Sequence, residues 1–318
     1  MSVSIDEKCA LTRGRLWWRI TLIRIITDTS AGLDQAIADE HDIVILPLRV
    51  MQDGVEYRDT IDITAPELYK RMREGERFTT AQLPPVELIE AFERVLREGD
   101  DIIFMPLSPG ISGTYATAVI LANEMREKYP DRKIGVVYTR STTGGLHLQI
   151  LKALEKIRFG MPFDEIMDQL AVVAKYTHHF YTVDELSYFY RGGRITALEA
   201  AAGSVLNIKP ILSVDEEGHL NAIGKVRGRH KAIQKLASLL GETATDPEDL
   251  KTTKIFILHA DVKEAAEELR DLVQEKYGAT DIEIGILPAV VGVHTGPTLL
   301  SIYYLDETAI RKGIEKRA

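Results

Sequence analysis

The stretch ITLIRIIT at 20–27, followed at once by DTSAG at 28–32, sets the expected fold. Its β-branched apolar residues make an extended segment, and Asp28, Thr29 and Ser30 supply the side-chain oxygens that open a turn or a helix. A strand therefore runs straight into a helical start. The same unit recurs at 42–48 (DIVILPL), 101–107 (DIIFMPL) and 133–139 (KIGVVYT), with helical periodicity over 65–74, 85–98 and 113–128. Alternation of this kind implies an α/β fold, with a Rossmann-like parallel sheet covered by helices on both faces. Ligands of such sheets sit at the carboxyl ends of the strands, where Asp28, Ser108 and Ser112 fall.

The second half reads differently. A helical stretch from 145 to 175 precedes two extended runs, 209–214 and 219–226, which flank Asp215-Glu216-Glu217-Gly218 in the manner of a β-hairpin. Helices at 230–240 and 262–277 and strands at 254–259, 282–287 and 299–305 make this half α+β. The expected organisation is an N-terminal extension (1–20), a Rossmann-like α/β domain (21–175) and an α+β domain (176–318).

The totals exclude several classes. At 318 residues and 45% hydrophobic, the chain has the composition and length of two globular domains. With 39 Lys and Arg against 48 Asp and Glu, the net charge of −9 offers nothing to a polyphosphate backbone, so nucleic acid is not an expected partner. Cys9 is the only cysteine, which excludes an internal disulfide and fits a cytoplasmic location. No run of about 18 apolar residues occurs, so no membrane-spanning helix is expected. Residues 1–20 lack the apolar centre of a secretory signal. Trp17 and Trp18, among Arg13, Arg15, Arg19 and Arg24, offer at most a transient contact with an anionic membrane surface, and a floppy or docked terminus is the plainer reading.

Neither GxGxxG nor GxxxxGK followed by Ser or Thr is present, so the usual phosphate cradles are missing. The histidines include no HExxH pair, and one cysteine cannot form CxxC, so no metal is expected. His178 and His179 are neighbours that would face opposite sides of a strand, and structural hydrogen bonding is their plain role. Ser112, within Gly110-Ile111-Ser112-Gly113, raises a serine hydrolase or acyltransferase using Ser112 and His294 as an alternative. The nucleophile elbow, however, needs a glycine where Thr114 stands.

Six segments, taken in order, resemble the DegV family: ITDTSAGL (26–33), LPLRVMQDGVEYRDTIDIT (46–64), TAQLP (80–84), ISGTYATA (111–118), a run from YRGGRI (190–195) through LNIKPIL (206–212) to KVRGRHKAI (225–233), and VGVHTGP (291–297). The ordered set spans about 22–306. This family includes the fatty-acid-binding subunits of bacterial fatty acid kinase. The resemblance implies a lipid tunnel between two domains, a single long-chain fatty acid as ligand, no cofactor and no catalysis by the chain itself. It also implies a separate ATP-dependent fatty acid kinase as partner, to which the carboxylate is presented for acyl phosphate formation. Carried over by position, Thr80 and Ser112 match the head-group hydroxyls, Gly113 and Thr295 flank them, and His294 and Arg194 support them, while Arg191 and Arg227 would mark the face that meets the kinase. A lipid-sensing interaction protein is the further alternative.

Such a set has a physical rationale of its own. A carboxylate taken out of water loses several kcal/mol of solvation unless donors replace its hydrogen bonds. Two hydroxyls can each donate to it while accepting from an imidazole or guanidinium behind them. Each residue also has a plainer role: Thr80 could cap the helix after Pro84-Pro85, Ser112 the helix from Gly113, and Arg191 could be a solvated charge. The glycines of Arg191-Gly192-Gly193-Arg194 suit a helix end, and Gly296-Pro297 should leave His294 on a loop. Ala81, Leu83-Pro84, Gly32, Tyr138 and Thr298 depart from the family pattern, and Leu83 is expected to add apolar surface beside the head group.

Overall fold

The structure, a computed structural model, describes residues 22–195 and 207–317, so the expectations for the N-terminal extension lie outside the described residues. Strand β1 (Ile23–Asp28) ends in a 3-10 turn, Thr29–Ala31, where the Asp28 carboxylate accepts the Ser30 N–H at 3.0 Å. Helix α1 (Gln35–Glu40) leads to β2 (Val44–Leu46), and β3 (Arg49–Gln52) and β4 (Val55–Arg58) then form a hairpin. After α2 (Ala65–Arg73), β5 (Thr79–Ala81) returns to pair with β3. This antiparallel sheet, in the order β4-β3-β5, is absent from the sequence reading. Helix α3 (Pro85–Arg97), β6 (Asp101–Met105), α4 (Thr114–Lys128) and β7 (Ile134–Val136) complete the parallel sheet β2-β1-β6-β7.

That sheet is covered on both sides, and the alternation of its central strands says how. Ile26, Ile102 and Phe104 join the residues of α3 and α4 in one buried cluster. Ile25, Ile103 and Met105 join a second, made with α5 (Thr143–Arg158) and α6 (Phe163–Lys175). Strands buried on both faces read as unbroken apolar runs, which is why β1 and β6 stand out in the sequence. The helical stretch expected over 145–175 is the pair α5 and α6. Helix α5 ends at Arg158, Gly160 with a φ of 71° turns the chain, and Pro162, which cannot sit inside a helix, stands at the cap from which α6 restarts at Phe163.

The rest of the chain forms β8 (Thr177–Thr182), α7 (Ser187–Arg191), β9 (Ile208–Val214), β10 (Leu220–Arg227), α8 (Arg229–Thr243), β11 (Ile255–His259), α9 (Lys263–Tyr277), β12 (Ile282–Ile286), α10 (Ala289–Thr295), β13 (Leu300–Leu305) and α11 (Glu307–Glu315). Its six-stranded sheet runs β10-β9-β8-β13-β11-β12, antiparallel except for the β11–β12 pair. Tyr181 and Tyr303 of this sheet share the largest cluster with Ile26 of the parallel sheet and Val50 of β3. All three sheets therefore contribute to one core. The β9–β10 hairpin tip rests on the loops at the carboxyl end of the parallel sheet. There the Ser108 hydroxyl donates to Gly218 O at 2.7 Å, the Tyr138 hydroxyl to Glu217 O at 3.0 Å and Arg140 Nη2 to Asp215 O at 3.1 Å. No helix among the described residues is long and apolar enough to cross a membrane.

Candidate functional site

Where the three sheets converge, a cavity of about 240 Å³ opens at the carboxyl ends of the parallel strands. Its walls are mainly apolar, with Leu48, Leu107, Phe189, Leu287, Val290 and Leu299 among them. Of the residues expected at a ligand, Thr80, Ser112, Gly113, Arg194, His294 and Thr295 all line this one space. They come from β5, the loop before α4, the turn after α7 and the last turn of α10, so no local stretch of sequence could have assembled them.

Thr80 sits in the middle of β5 opposite Val50, and Pro84 occupies the cap position of α3, so Thr80 does not cap that helix. The Thr80 hydroxyl lies 2.7 Å from His294 Nε2. His294 is on α10 rather than on a loop, because α10 ends only at Thr295, where Gly296 with its φ of 78° leads into Pro297. Burial, reinforced by the nearby Arg194 cation, pushes the imidazole down to about 3, so it is neutral at ordinary pH. Its Nδ1 is buried and has no hydrogen-bond partner among the described residues.

The Ser112 hydroxyl donates to Thr114 Oγ1 at 3.0 Å and accepts the Thr114 N–H at 3.2 Å. It thus caps the start of α4 while facing the cavity. With Ser112 engaged there and His294 Nε2 held by Thr80, the serine–histidine pair required by the hydrolase alternative is not formed. Arg194 spends its hydrogen bonds on main-chain carbonyls, from Nε to Ile111 O at 3.3 Å and from Nη1 to Gly192 O. Burial lowers its pKa, and no acidic neighbour among the described residues counters that burial. The result is a half-buried cation, a neutral imidazole and two hydroxyls on the wall of an apolar cavity, a set able to hold an anion.

Thr80, Arg194 and His294 also line an adjoining chamber of about 430 Å³, to which Arg77, Arg191 and Tyr188 contribute. The Arg191 guanidinium stacks 4.5 Å above the Tyr188 ring. Arg227 is exposed on β10 and lines neither chamber. Leu83, expected beside the head group, is instead 2% exposed in the main core. The sequence reading missed Gln82, Thr142, Tyr181 and Tyr303, which also line the cavity. No cluster of three potential metal-ligating His, Cys, Asp or Glu side chains occurs among the described residues.

A buried acid lies behind the site. Asp59 is fully buried, neither of its oxygens makes a full hydrogen bond, and burial pushes its carboxyl from the ordinary 3.8 up to about 6 despite Thr29 and the Val290 amide nearby. A carboxyl raised on folding stabilises the fold fully below pH 3.8 and loses that contribution as pH climbs through about 6. Replacing Asp59 by asparagine should therefore raise thermal stability at pH 8 by up to about 3 kcal/mol and leave it nearly unchanged near pH 4. Melting curves across that range check this; equal shifts at both ends would refute it.

The DegV family profile, described as that of uncharacterised proteins, matches residues 22–307. A DegV domain-containing protein of Clostridium perfringens is 36% identical over 286 residues, covering 89% of this chain and 97% of the relative. Among solved structures, a fatty-acid-binding DegV family protein from Thermus thermophilus superposes with a TM-score of 0.81 at 27% identity, over 90% of this chain and 99% of that one. A stearic-acid-binding protein from Eubacterium ventriosum gives 0.80 at 25% identity, over 90% and 99%. With the family profile spanning nearly all the described residues, and a relative 36% identical matched over nearly its whole length, this chain belongs to the DegV family.

Proposed function

We propose that this chain carries one long-chain fatty acid, with the carboxylate held at Thr80 and Ser112 and the acyl chain in the apolar cavity. The observation that carries the reading is the pairing of an apolar space with a half-buried Arg194 that has no acidic partner among the described residues. A fatty acid satisfies both halves at once. The ligands named for the Thermus and Eubacterium relatives support the same class. With its proton on Nε2, the neutral His294 donates to Thr80, and the Thr80 hydroxyl is left to donate to the head group. Tail burial supplies the affinity at ~0.8 kcal/mol per methylene before ordering costs, and the carboxylate contacts set orientation.

The chain acts as a non-catalytic subunit that presents the carboxylate to a separate ATP-dependent fatty acid kinase. The opening of the head-group end into a second chamber lined by Arg77 and Arg191 favours this, since a phosphoryl donor would have to approach from there. Denaturing mass spectrometry of the protein purified from a bacterial host should reveal a long-chain acyl species, and a lipid-free preparation would overturn the carrier reading. Ser112→Ala and Thr80→Val should each weaken retention about 10- to 100-fold, the worth of one hydrogen bond to a charged group. Ser112→Ala also loses a helix cap worth about 1 kcal/mol. Undiminished retention in both variants would remove these hydroxyls from the site.

A further inference from the structure

The residues that line the main cavity differ in exposure, and the difference locates its mouth. Among them only Ala81, Gln82 and Gly113 are exposed, whereas Leu48, Phe189 and Leu299 are each 2% exposed or less. Solvent therefore reaches the cavity where the chain leaves β5 and where α4 begins. Alanine and glycine carry no side-chain donor, so Gln82 is the one exposed lining residue, among those described, that can offer a hydrogen bond to a ligand.

Gln82 is also the neighbour of both hydroxyls. It follows Thr80 by two positions at the end of β5, the spacing at which an extended chain turns two side chains to one face, and both residues line the cavity. Its far end lies against Gly113, the residue after Ser112. A Cβ on Gly113 would stand 2.5 Å from Gln82 Oε1 and 3.7 Å from its Cδ. The glycine thus leaves the room that the amide occupies. Oε1 faces Gly113, while the amide nitrogen lies more than 4 Å from that Cβ position, so the donor half of the group is turned away from it. No hydrogen bond to a described residue engages this amide.

We infer that Gln82 is a specificity-determining residue of the head-group site, its amide closing on the carboxylate from the mouth, between Thr80 and Ser112. The inference rests on the carrier reading and deepens it. A carboxylate has two oxygens and about four acceptor positions, so two hydroxyls leave room for a third donor. An alcohol at the head of the same chain has one oxygen, which the two hydroxyls already occupy. Gln82 accordingly favours an ionised acid over a neutral lipid of equal length.

Delipidated wild-type protein, Gln82→Ala and Gln82→Glu are each titrated with octadecanoic acid and with 1-octadecanol, with displacement of a fluorescent fatty acid as readout. Gln82→Ala should weaken the acid about 3- to 10-fold, the worth of one hydrogen bond at a site that water reaches, and leave the alcohol unchanged. Gln82→Glu keeps the shape but sets a negative charge beside the carboxylate, and should weaken the acid about tenfold or more while again sparing the alcohol. Retained alcohol binding shows that both variants are folded. Equal losses for acid and alcohol would make Gln82 a steric cover and overturn the inference, as would undiminished acid binding in both variants; acid binding by the wild type would then leave the carrier reading standing. A wild-type protein that binds neither compound would overturn both readings together.

Discussion

Gly192→Ala should abolish most fatty acid retention in a protein that still folds. Gly192 follows α7 with a φ of −74°, which alanine adopts without strain. The difficulty is purely one of space, because a Cβ there would stand 2.2 Å from His294 Nδ1 and 3.1 Å from its Cε1. On its far side the imidazole is held by Thr80 at 2.7 Å. It cannot back away without breaking that bond, so the methyl group displaces His294 and frees Thr80 to turn from the cavity. Retention should drop about 10- to 100-fold, as for loss of a hydrogen bond to a charged group, with an overpacking cost of about 1–3 kcal/mol in stability. Gly193→Ala is the control. Its φ of 71° strains an alanine, but a Cβ there would meet nothing within 4 Å, so it should lower stability by about 1 kcal/mol and leave retention intact. In a His294→Ala background, Gly192→Ala should cost no further binding. Equal losses in Gly192→Ala and Gly193→Ala would mean that the turn, not the imidazole, is what matters.

How much of this was legible before the structure follows from where the information sits. β1 and β6 announce themselves because both of their faces are buried. The hairpin at 215–218 declares itself by a charged turn between two extended runs. The β4-β3-β5 sheet does not, since its strands are short and partly polar, and β5 joins by pairing with β3 some thirty residues away. One local cue exists, for Asp53 and Gly54 both hold positive φ and form the two-residue turn that joins β3 to β4. Helix α10 reads as a loop because AVVGVHT is short, β-branched and followed by Gly-Pro. Its helicity comes from tertiary contact with α2 and α7, including the approach of Gly292 to the Tyr69 ring. The likeness of motifs singled out Thr80 and His294, but their contact spans 214 positions and is a property of the fold alone.

Two of the departures from the family pattern become intelligible in the same terms. Thr298, where the pattern has a glycine, accepts the Asp184 N–H on its hydroxyl at 3.1 Å and so ties the start of β13 to the segment before α7. Tyr138, where the pattern has an acid, sits edge-on to Tyr115 with ring centroids 5.2 Å apart and donates to the hairpin tip. Neither residue lines the cavity. Both bind one piece of the frame to another, so their influence on the ligand is exerted through the position of the walls.

The β9–β10 hairpin contributes Leu220 to the cavity wall, and Gly110→Ala should dislodge its tip. A Cβ at Gly110 would stand 2.3 Å from the carbonyl carbon of Gly218 and 2.5 Å from the amide of His219. Those are main-chain atoms, which cannot swing aside as the end of a side chain would. Relief requires the whole tip to lift, and with it go the bonds from Ser108, Tyr138 and Arg140 to its three carbonyls. At about 1 kcal/mol each, offset in part by water reaching the exposed pair, these losses and the steric cost together should amount to about 2–4 kcal/mol of stability. Leu220, the first residue of β10, lines the cavity and must move with the tip, so the acyl chain should leave faster even though no head-group residue has changed. Tyr138→Phe removes one of the three bonds without the clash and should show about a third of the hydrogen-bond loss and little change in lipid release. Limited proteolysis reports the tip directly: cleavage within 215–219 should accelerate in Gly110→Ala and not in Tyr138→Phe. A Gly110→Ala protein with unaltered cleavage and unaltered release would show that the hairpin does not close the cavity.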